Sequence, residues 1–133
     1  MTAASLERSP AGLEQIPLTI TSGGKAHRFI VEVARSPEEQ ATGLMNRQSL
    51  APDRGMVFPY DPPQPVAFWM KNTVLSLDLV FIGPDHRVIN VAANAVPYSE
   101  ASIVSDAPAI ATLELNAGRA AELDIVPGAR VDW

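Results

Sequence analysis

The apolar stretches of this chain are short, and glycine and proline separate them. The longest, such as Leu77 to Ile82, have the length of a β-strand, and the run from His27 to Ala34 alternates in polarity as a half-buried strand does. Ser22-Gly23-Gly24-Lys25 is typical of a tight hairpin turn, because glycine tolerates the positive φ that such turns require. These patterns favour sheet over helix.

Two brief segments have the patterns of helices. Ser36-Pro37-Glu38-Glu39 predicts a helix start, since serine can cap an orphan amide and proline suits the first helical position. This helix is expected to reach about Met45, and a second one is expected over Ala117 to Leu123. Gly43 inside the first helix costs roughly 1 kcal/mol relative to alanine, which suggests that another part of the chain approaches closely there.

Strand patterns recur over most of the chain. We expect strands at 16–21, 27–34, 56–60, 66–70, 77–82, 87–93, 110–115 and 130–133. Many short strands with at most two brief helices predict a mainly β fold, a compact antiparallel β-sandwich or barrel. Residues 1–15 show no sustained periodicity and are predicted to form a loose N-terminal arm, while residues 16–133 form one domain.

Charge and residue counts exclude several classes of function. Ten basic and 15 acidic residues give a net charge of −5, and the basic residues are scattered, so we expect no nucleic acid partner. The chain has no cysteine, which removes thiolate catalysis and thiolate metal sites. Because His27 and His86 are isolated and no glycine-rich phosphate loop follows a strand, we expect neither a metal nor another cofactor.

The apolar runs also bear on location. None approaches the roughly 20 residues that cross a bilayer, so we expect no membrane span. Residues 1–15 lack the basic start and apolar stretch of a signal peptide. We therefore expect a cytoplasmic protein, or a periplasmic or exported one if a leader has been removed. The oligomeric state is left open.

A cluster of polar residues lies between apolar runs, from Phe68 to Asp78. Asp78 shares its predicted strand face with apolar residues, where an ionised carboxylate is costly unless it is paired or hydrogen-bonded. Its candidate partners are Lys71, Arg47 and the backbone amides of Asn72 and Thr73. Glu114, on a later strand, is interpreted either as a partner for an arginine or helix-start amides, or as a catalytic group. Arg47 could hold a carboxylate bidentately, in a ligand or in a structural salt bridge.

Lys71 and Trp69 also allow two interpretations each. Lys71 is either a desolvated base or anion clamp, or a solvated lysine stacked on the indole of Trp69. Trp69, Met45, Met56 and Met70 either line an adaptable ligand pocket or belong to the core, as methionines at strand spacing usually do.

Five motifs occur in a fixed order over residues 16–131. They are Gly43-Leu44-Met45 with Arg47, Asp53-x-Gly55-Met56-x-Phe58, Phe68-Trp69-Met70-Lys71-Asn72-Thr73, Leu77-Asp78 with Phe81, and Leu113-Glu114-Leu115 with Gly118 and Gly128. In residue type and spacing they resemble the family called domain of unknown function 192. The resemblance implies a compact β-rich single domain and, often, export, but no established reaction. Ser76, His86 and Ala129 stand where the family usually has proline, glycine and aspartate.

Together these features predict a shallow pocket floored by Trp69. The residues expected to line it are Arg47, Trp69, Lys71, Asn72, Thr73, Asp78 and Glu114. An aromatic ring beside mixed donors and acceptors, without an activated nucleophile, predicts a noncatalytic module that binds a small molecule, peptide or sugar.

Two alternatives belong to other classes of protein. One is a hydrolase-like enzyme with Asp78 and Glu114 as an acid/base pair, which requires both carboxyl groups to open to one cavity. The other is a protein-interaction or assembly domain that uses the Pro59 to Pro65 loop or a bare sheet edge.

Overall fold

The structure, a computed structural model, describes residues 6–133, so the first five residues of the predicted arm lie outside the described residues. The described chain is mostly strand. Its elements in order are β1 Glu14–Ser22, β2 Lys25–Val33, α1 Pro37–Thr42, β3 Arg54–Gln64, β4 Ala67–Phe68, β5 Leu77–Ile82, β6 Val88–Ala95, β7 Ile103–Val104, β8 Ala109–Asn116, α2 Arg119–Glu122 and β9 Arg130–Asp132. The predicted mainly β class is confirmed.

Seven strands form one mixed sheet in the order β6-β5-β8-β3-β2-β1-β9, and β4 pairs with β7 in a small separate sheet. The pair β2 and β3 is parallel, whereas the other pairs are antiparallel. The parallel pair is possible because α1 and the loops around it form a long crossover between these strands. The outer strands meet through one isolated bridge, Arg87 to Arg130, and the sheet does not close into a barrel.

An apolar layer covers each face of the large sheet. One layer contains Leu18, Phe29, Val80, Leu113, Leu115 and, from α2, Ala120. The other contains Leu44, Met56, Phe58, Met70, Leu79 and Phe81. Strand β5 pairs on both sides and lies between both layers, so all six of its residues are buried, as the apolar residues on both of its faces predict.

The predicted turn and helix start are confirmed. Gly23 and Gly24 have φ of 57° and 77° in the hairpin between β1 and β2. The Ser36 hydroxyl accepts a hydrogen bond from the Glu39 amide at 3.0 Å, and the Glu39 carboxylate accepts one from the Ser36 amide at 3.1 Å. The helix ends at Thr42 rather than near Met45, because Gly43 takes φ of 48° at its C-cap.

Three segments differ from expectation. The proline-rich segment stays within β3, where a register shift between Pro59 and Gln64 lets prolines avoid the hydrogen-bonding ladder. The strand expected at 66–70 contracts to β4, since it pairs with the two-residue β7 and not with the large sheet. Ser9 of the predicted arm is buried and donates a hydrogen bond to Glu32 at 2.7 Å. The domain boundary at residue 16 stays a prediction.

Candidate functional site

A cavity of about 440 Å³ lies beside the second apolar layer, between α1, β3 and the segment around β4. Aromatic rings supply much of its wall. It is lined by Gln40, Ala41, Thr42, Gly43, Leu44, Met45, Phe58, Tyr60, Gln64, Pro65, Val66, Ala67, Phe68, Trp69, Thr73 and Glu114. Phe58 and Phe68 meet edge to face, with ring centroids 5.0 Å apart, a favourable aromatic geometry.

Glu114 is the acidic group of this cavity. It lies on β8, opposite Met56 of β3 and Leu79 of β5, and it is 4% exposed. Within residues 6–133 the Glu114 carboxyl group has no hydrogen-bond or salt-bridge partner. Every side-chain oxygen or nitrogen atom in that part of the chain that is fully shielded from solvent does have a hydrogen-bond partner. The carboxyl oxygens therefore reach accessible space, and the space that Glu114 lines is the cavity.

Burial controls the protonation of Glu114. Removal from water disfavours the charged form and raises the pKa of this carboxyl group to about 8. Near neutral pH the group is mostly a neutral carboxylic acid, which can both donate and accept a hydrogen bond.

The other deep polar groups of the cavity are already hydrogen-bonded within the protein. The Tyr60 hydroxyl donates to Thr112 Oγ1 at 3.0 Å. Burial raises the pKa of Tyr60 to about 12; the charge of Glu114 acts in the same direction, and the hydrogen bond to Thr112 acts against it. The Gln40 amide donates to two backbone carbonyls at 3.0 and 2.9 Å. The Thr73 hydroxyl donates to the carbonyl of Lys71 at 3.1 Å. Glu114 is thus the deep group that remains available to a ligand.

Trp69 and Lys71 lie at the surface. Trp69 is 47% exposed, so it borders the mouth of the cavity, and Glu114 and Phe58 lie deeper than the floor expected at Trp69. The Lys71 ammonium lies 5.1 Å from the centroid of the Trp69 ring, a cation–π contact worth about 0.5–1 kcal/mol at an exposed site. Because Lys71 is exposed, the arrangement matches the solvated, stacked lysine and not a desolvated base.

Asp78 has a different environment from the one predicted. It is fully buried and accepts hydrogen bonds from the backbone amides of Asn94 at 2.9 Å, Gly118 at 3.0 Å and Ala120 at 2.9 Å. The partners predicted from the sequence, namely Lys71, Arg47 and the amides of Asn72 and Thr73, were wrong. The observed amides belong to β6 and to the start of α2, which only the tertiary fold brings to this carboxylate.

Asp78 and Glu114 face opposite sides of the sheet. Glu114 is paired with Leu79, so the two side chains share a face, and successive residues of a strand alternate between faces. Asp78 therefore points into the other apolar layer and does not line the cavity. The shared cavity that the acid/base hypothesis requires is absent from the described residues.

The two other predicted site residues lie elsewhere. Arg47 donates to both carboxylate oxygens of Glu32, at 2.8 and 3.0 Å, beside a second cavity of about 620 Å³. Burial acts to raise the pKa of Glu32, but the hydrogen bonds from Arg47 and Ser9 and the Arg47 charge outweigh it, leaving the pKa below its ordinary value. Asn72 borders a third, separate cleft.

Of the seven predicted residues, the structure brings Trp69, Thr73 and Glu114 to one cavity. Sequence reasoning missed its aromatic wall, Phe58, Tyr60 and Phe68. A signal was present, because Phe58 and Tyr60 stand two residues apart in a strand and so share a face. Met56 and Met70 are core residues, whereas the half-buried Met45 lines the cavity.

Residues 6–133 contain neither a cluster of metal ligands nor a helix that could span a membrane. Across 6–133, no group of three or more histidine, aspartate or glutamate side chains is placed to hold a metal ion. The two helices of this part of the chain have six and four residues, and neither is long and apolar enough to span a membrane.

The chain belongs to the domain of unknown function 192 family, described as an uncharacterized ACR family, whose model matches residues 18–133. It is similar to a solved protein of unknown function from Novosphingobium aromaticivorans, with 46% identity, a TM-score of 0.94, and coverage of 98% of this chain and 94% of the other. A structure from Sinorhizobium meliloti, provisionally named a transcription regulator, is 38% identical with a TM-score of 0.85, covering 99% and 95%. None of the curated proteins compared with the chain matches it.

Proposed function

We propose that this protein is a noncatalytic binding module whose cavity takes a small organic ligand, such as a small molecule, a sugar or a side chain of a peptide. The observation that carries the proposal is the Glu114 carboxyl group, which is buried and has no partner among residues 6–133, at an aromatic cavity of about 440 Å³. That volume is within the range of small-ligand sites, and aromatic side chains beside a small number of placed polar groups are common in such sites.

The alternatives receive less support. For an acid/base enzyme, the described part of the chain places no second carboxyl group in the cavity, since Asp78 faces the other side of the sheet. A protein-interaction or assembly domain would bind a partner at an exposed sheet edge. Here the bridge between Arg87 and Arg130 joins the two edges of the sheet and so partly shields β6 and β9. A nucleic acid partner for this chain is disfavoured by its net charge of −5.

The test is a thermal-shift panel of small cationic, neutral and anionic compounds, simple sugars and short peptides. A ligand at about ten times its Kd adds roughly 1.4 kcal/mol to the folded state, which for a domain of this size raises the midpoint by roughly 5 °C. At least one class of compound is expected to produce such a shift.

Two matched variants locate the site. Ala41→Trp places an indole at the cavity from the exposed side of α1, whereas Ala121→Trp places one on α2, which covers the opposite face of the sheet. We expect the ligand shift to vanish in the first variant and to persist in the second. No shift with any class of compound, or equal shifts in both variants, would contradict the proposal.

A further inference from the structure

The polar groups that line the cavity limit the chemical classes of ligand that it can bind. Glu114 is the one acidic residue that lines it, and no lysine, arginine or histidine does so among residues 6–133. Lys71 contacts the face of Trp69 and is not part of the lining. Any positive charge that pairs with the Glu114 carboxyl group must therefore arrive with the ligand.

The remaining deep polar groups argue against a ligand with many hydroxyls. Tyr60, Gln40 and Thr73 already donate their hydrogen bonds to protein acceptors. A sugar buried here would lose water from several hydroxyls and regain few hydrogen bonds, which is costly. A ligand with one polar head and an apolar frame fits this distribution, because the head can meet Glu114 while the frame meets the rings of Phe58 and Phe68.

A metal ion does not fit the same position. Ca²⁺ sites draw on several carboxylate and carbonyl oxygens, and Mg²⁺ at a single carboxylate would keep most of its waters, so one carboxyl group would hold either ion only weakly. Across residues 6–133, no group of three acidic or imidazole side chains exists that could hold a metal. Once Glu114 is ionised, its carboxylate repels an anion. Between a neutral head and a cationic one, the ionised carboxylate favours the cation, since a hydrogen bond between charged partners is roughly twice as strong as a neutral one.

We propose that the cavity binds an organic cation, an ammonium group on a small apolar or aromatic frame, with the Glu114 carboxylate as its counter-ion. This inference rests on the binding function proposed above and specifies its ligand class. The ammonium group donates to the carboxylate oxygens, and the frame fills the space between α1 and β4. Recognition requires no movement of the sheet, because the carboxyl group already opens to the cavity.

The experiment uses three probes with one frame and different heads, namely benzylammonium, benzyl alcohol and benzoate. Their binding to the whole chain is measured at about pH 8.5, just above the pKa of about 8 of the Glu114 carboxyl group, so that this group is ionised. The readout is amide chemical shifts, with Gly43 and Ala67 as reporters of the cavity. Benzylammonium is expected to bind about tenfold more tightly than benzyl alcohol, and benzoate most weakly. The comparison within the parent protein needs no variant, so it stands even if a substitution impairs folding.

Two substitutions assign the preference to one residue. Glu114→Gln keeps the shape of the side chain and is expected to abolish the preference for the cation. Glu100→Gln makes the same change in net charge at an exposed position outside the cavity and is expected to leave the preference intact.

Three outcomes would overturn the inference. The first is that benzyl alcohol binds the parent as tightly as benzylammonium, and the second is that the preference survives in Glu114→Gln. The third is that none of the three probes perturbs the cavity at millimolar concentration. The proposed function fails separately, if no class of compound in the thermal-shift panel binds, so the two failures can be told apart.

Discussion

Asp78 and Glu114, two of the buried acidic residues, have opposite energetic roles. Asp78 accepts three backbone hydrogen bonds and ties β5 to β6 and α2. Glu114, one position out of step on the neighbouring strand, accepts none within the described residues. An acid that is buried without a partner reduces stability whenever it is ionised, so its retention is more readily explained by a ligand than by the fold.

The protonation of Glu114 predicts how stability varies with pH. The folded-state pKa of about 8 lies above the ordinary value of 4.5, so between these values the folded state holds more protons than the unfolded one, and stability falls as pH rises. The full difference between the two pKa values corresponds to roughly 4–5 kcal/mol of unfolding free energy. Urea unfolding of the parent and Glu114→Gln at several pH values measures it.

The parent is expected to lose stability relative to Glu114→Gln from about pH 5 to about pH 9, with little difference between them at the acidic end. The comparison removes the contributions of all other titrating groups. If the two proteins lost stability in parallel, ionisation of Glu114 would cost no more free energy in the folded state than in the unfolded state, which would contradict the prediction.

At the level of elements, strand β3 determines where Glu114 lies. Gly55 sits so close to β8 that a Cβ atom on it would come within 2.5 Å of the Glu114 carbonyl oxygen and 2.9 Å of a methyl group of Leu115. The backbone oxygen cannot move aside without separating the strands. The absence of a side chain at Gly55 therefore sets the distance between the strand that carries the aromatic wall and the strand that carries the acid.

Gly55→Ala is accordingly expected to lower the unfolding free energy by roughly 2–3 kcal/mol, the cost of overpacking at a rigid contact. Thermal unfolding measures the loss. Gly83→Ala is the control, because its Cβ would meet first the end of the Asp85 side chain, at 3.1 Å, which can rotate away. Equal losses in the two variants would mean that the close approach at Gly55 is not what matters.

Over the whole molecule, the ion pair between Arg47 and Glu32 connects separate segments of the chain. Arg47, which follows α1, holds Glu32 of β2, and Ser9 of the N-terminal segment donates to the same carboxylate. The Glu32 side chain is 9% exposed and that of Arg47 is 29% exposed, so this pair is worth more than a surface salt bridge but still shares contact with water.

Arg47→Met is expected to destabilise the protein by up to about 3 kcal/mol, since it leaves Glu32 buried without its partner. The double variant Arg47→Met with Glu32→Leu is expected to recover most of that loss. Urea unfolding of the two single variants and the double variant gives the coupling energy. Strict additivity of the single losses would contradict the pairing.

The pH dependence of this pair has the opposite sign to that of Glu114. The pKa of Glu32 is lowered in the folded state, chiefly because hydrogen bonds from Arg47 and Ser9 outweigh its burial. Its stabilising contribution is therefore present above the unfolded-state value of 4.5 and is lost as pH falls through the lower folded-state pKa. The difference between the parent and Arg47→Met should narrow in that acidic range.

The sequence alone determined the features that depend on neighbouring residues. The Ser36 capping box, the glycine hairpin and the largely apolar β5 follow from local chemistry, and each is present in the fold. The same is true of the mainly β class, since it is the sum of such local patterns.

Only the tertiary structure decided which polar groups meet. The alternation of side chains along a strand could not predict that Asp78 would bind the amides of α2 or that Arg47 would hold Glu32. Nor could it predict that Glu114 would lie beside aromatic rings with no partner among residues 6–133. Each of these outcomes depends on strand order and register, and a shift of one residue moves a side chain to the opposite face of the sheet. The residues of the candidate site were therefore visible in the sequence, but their assembly into one cavity was not.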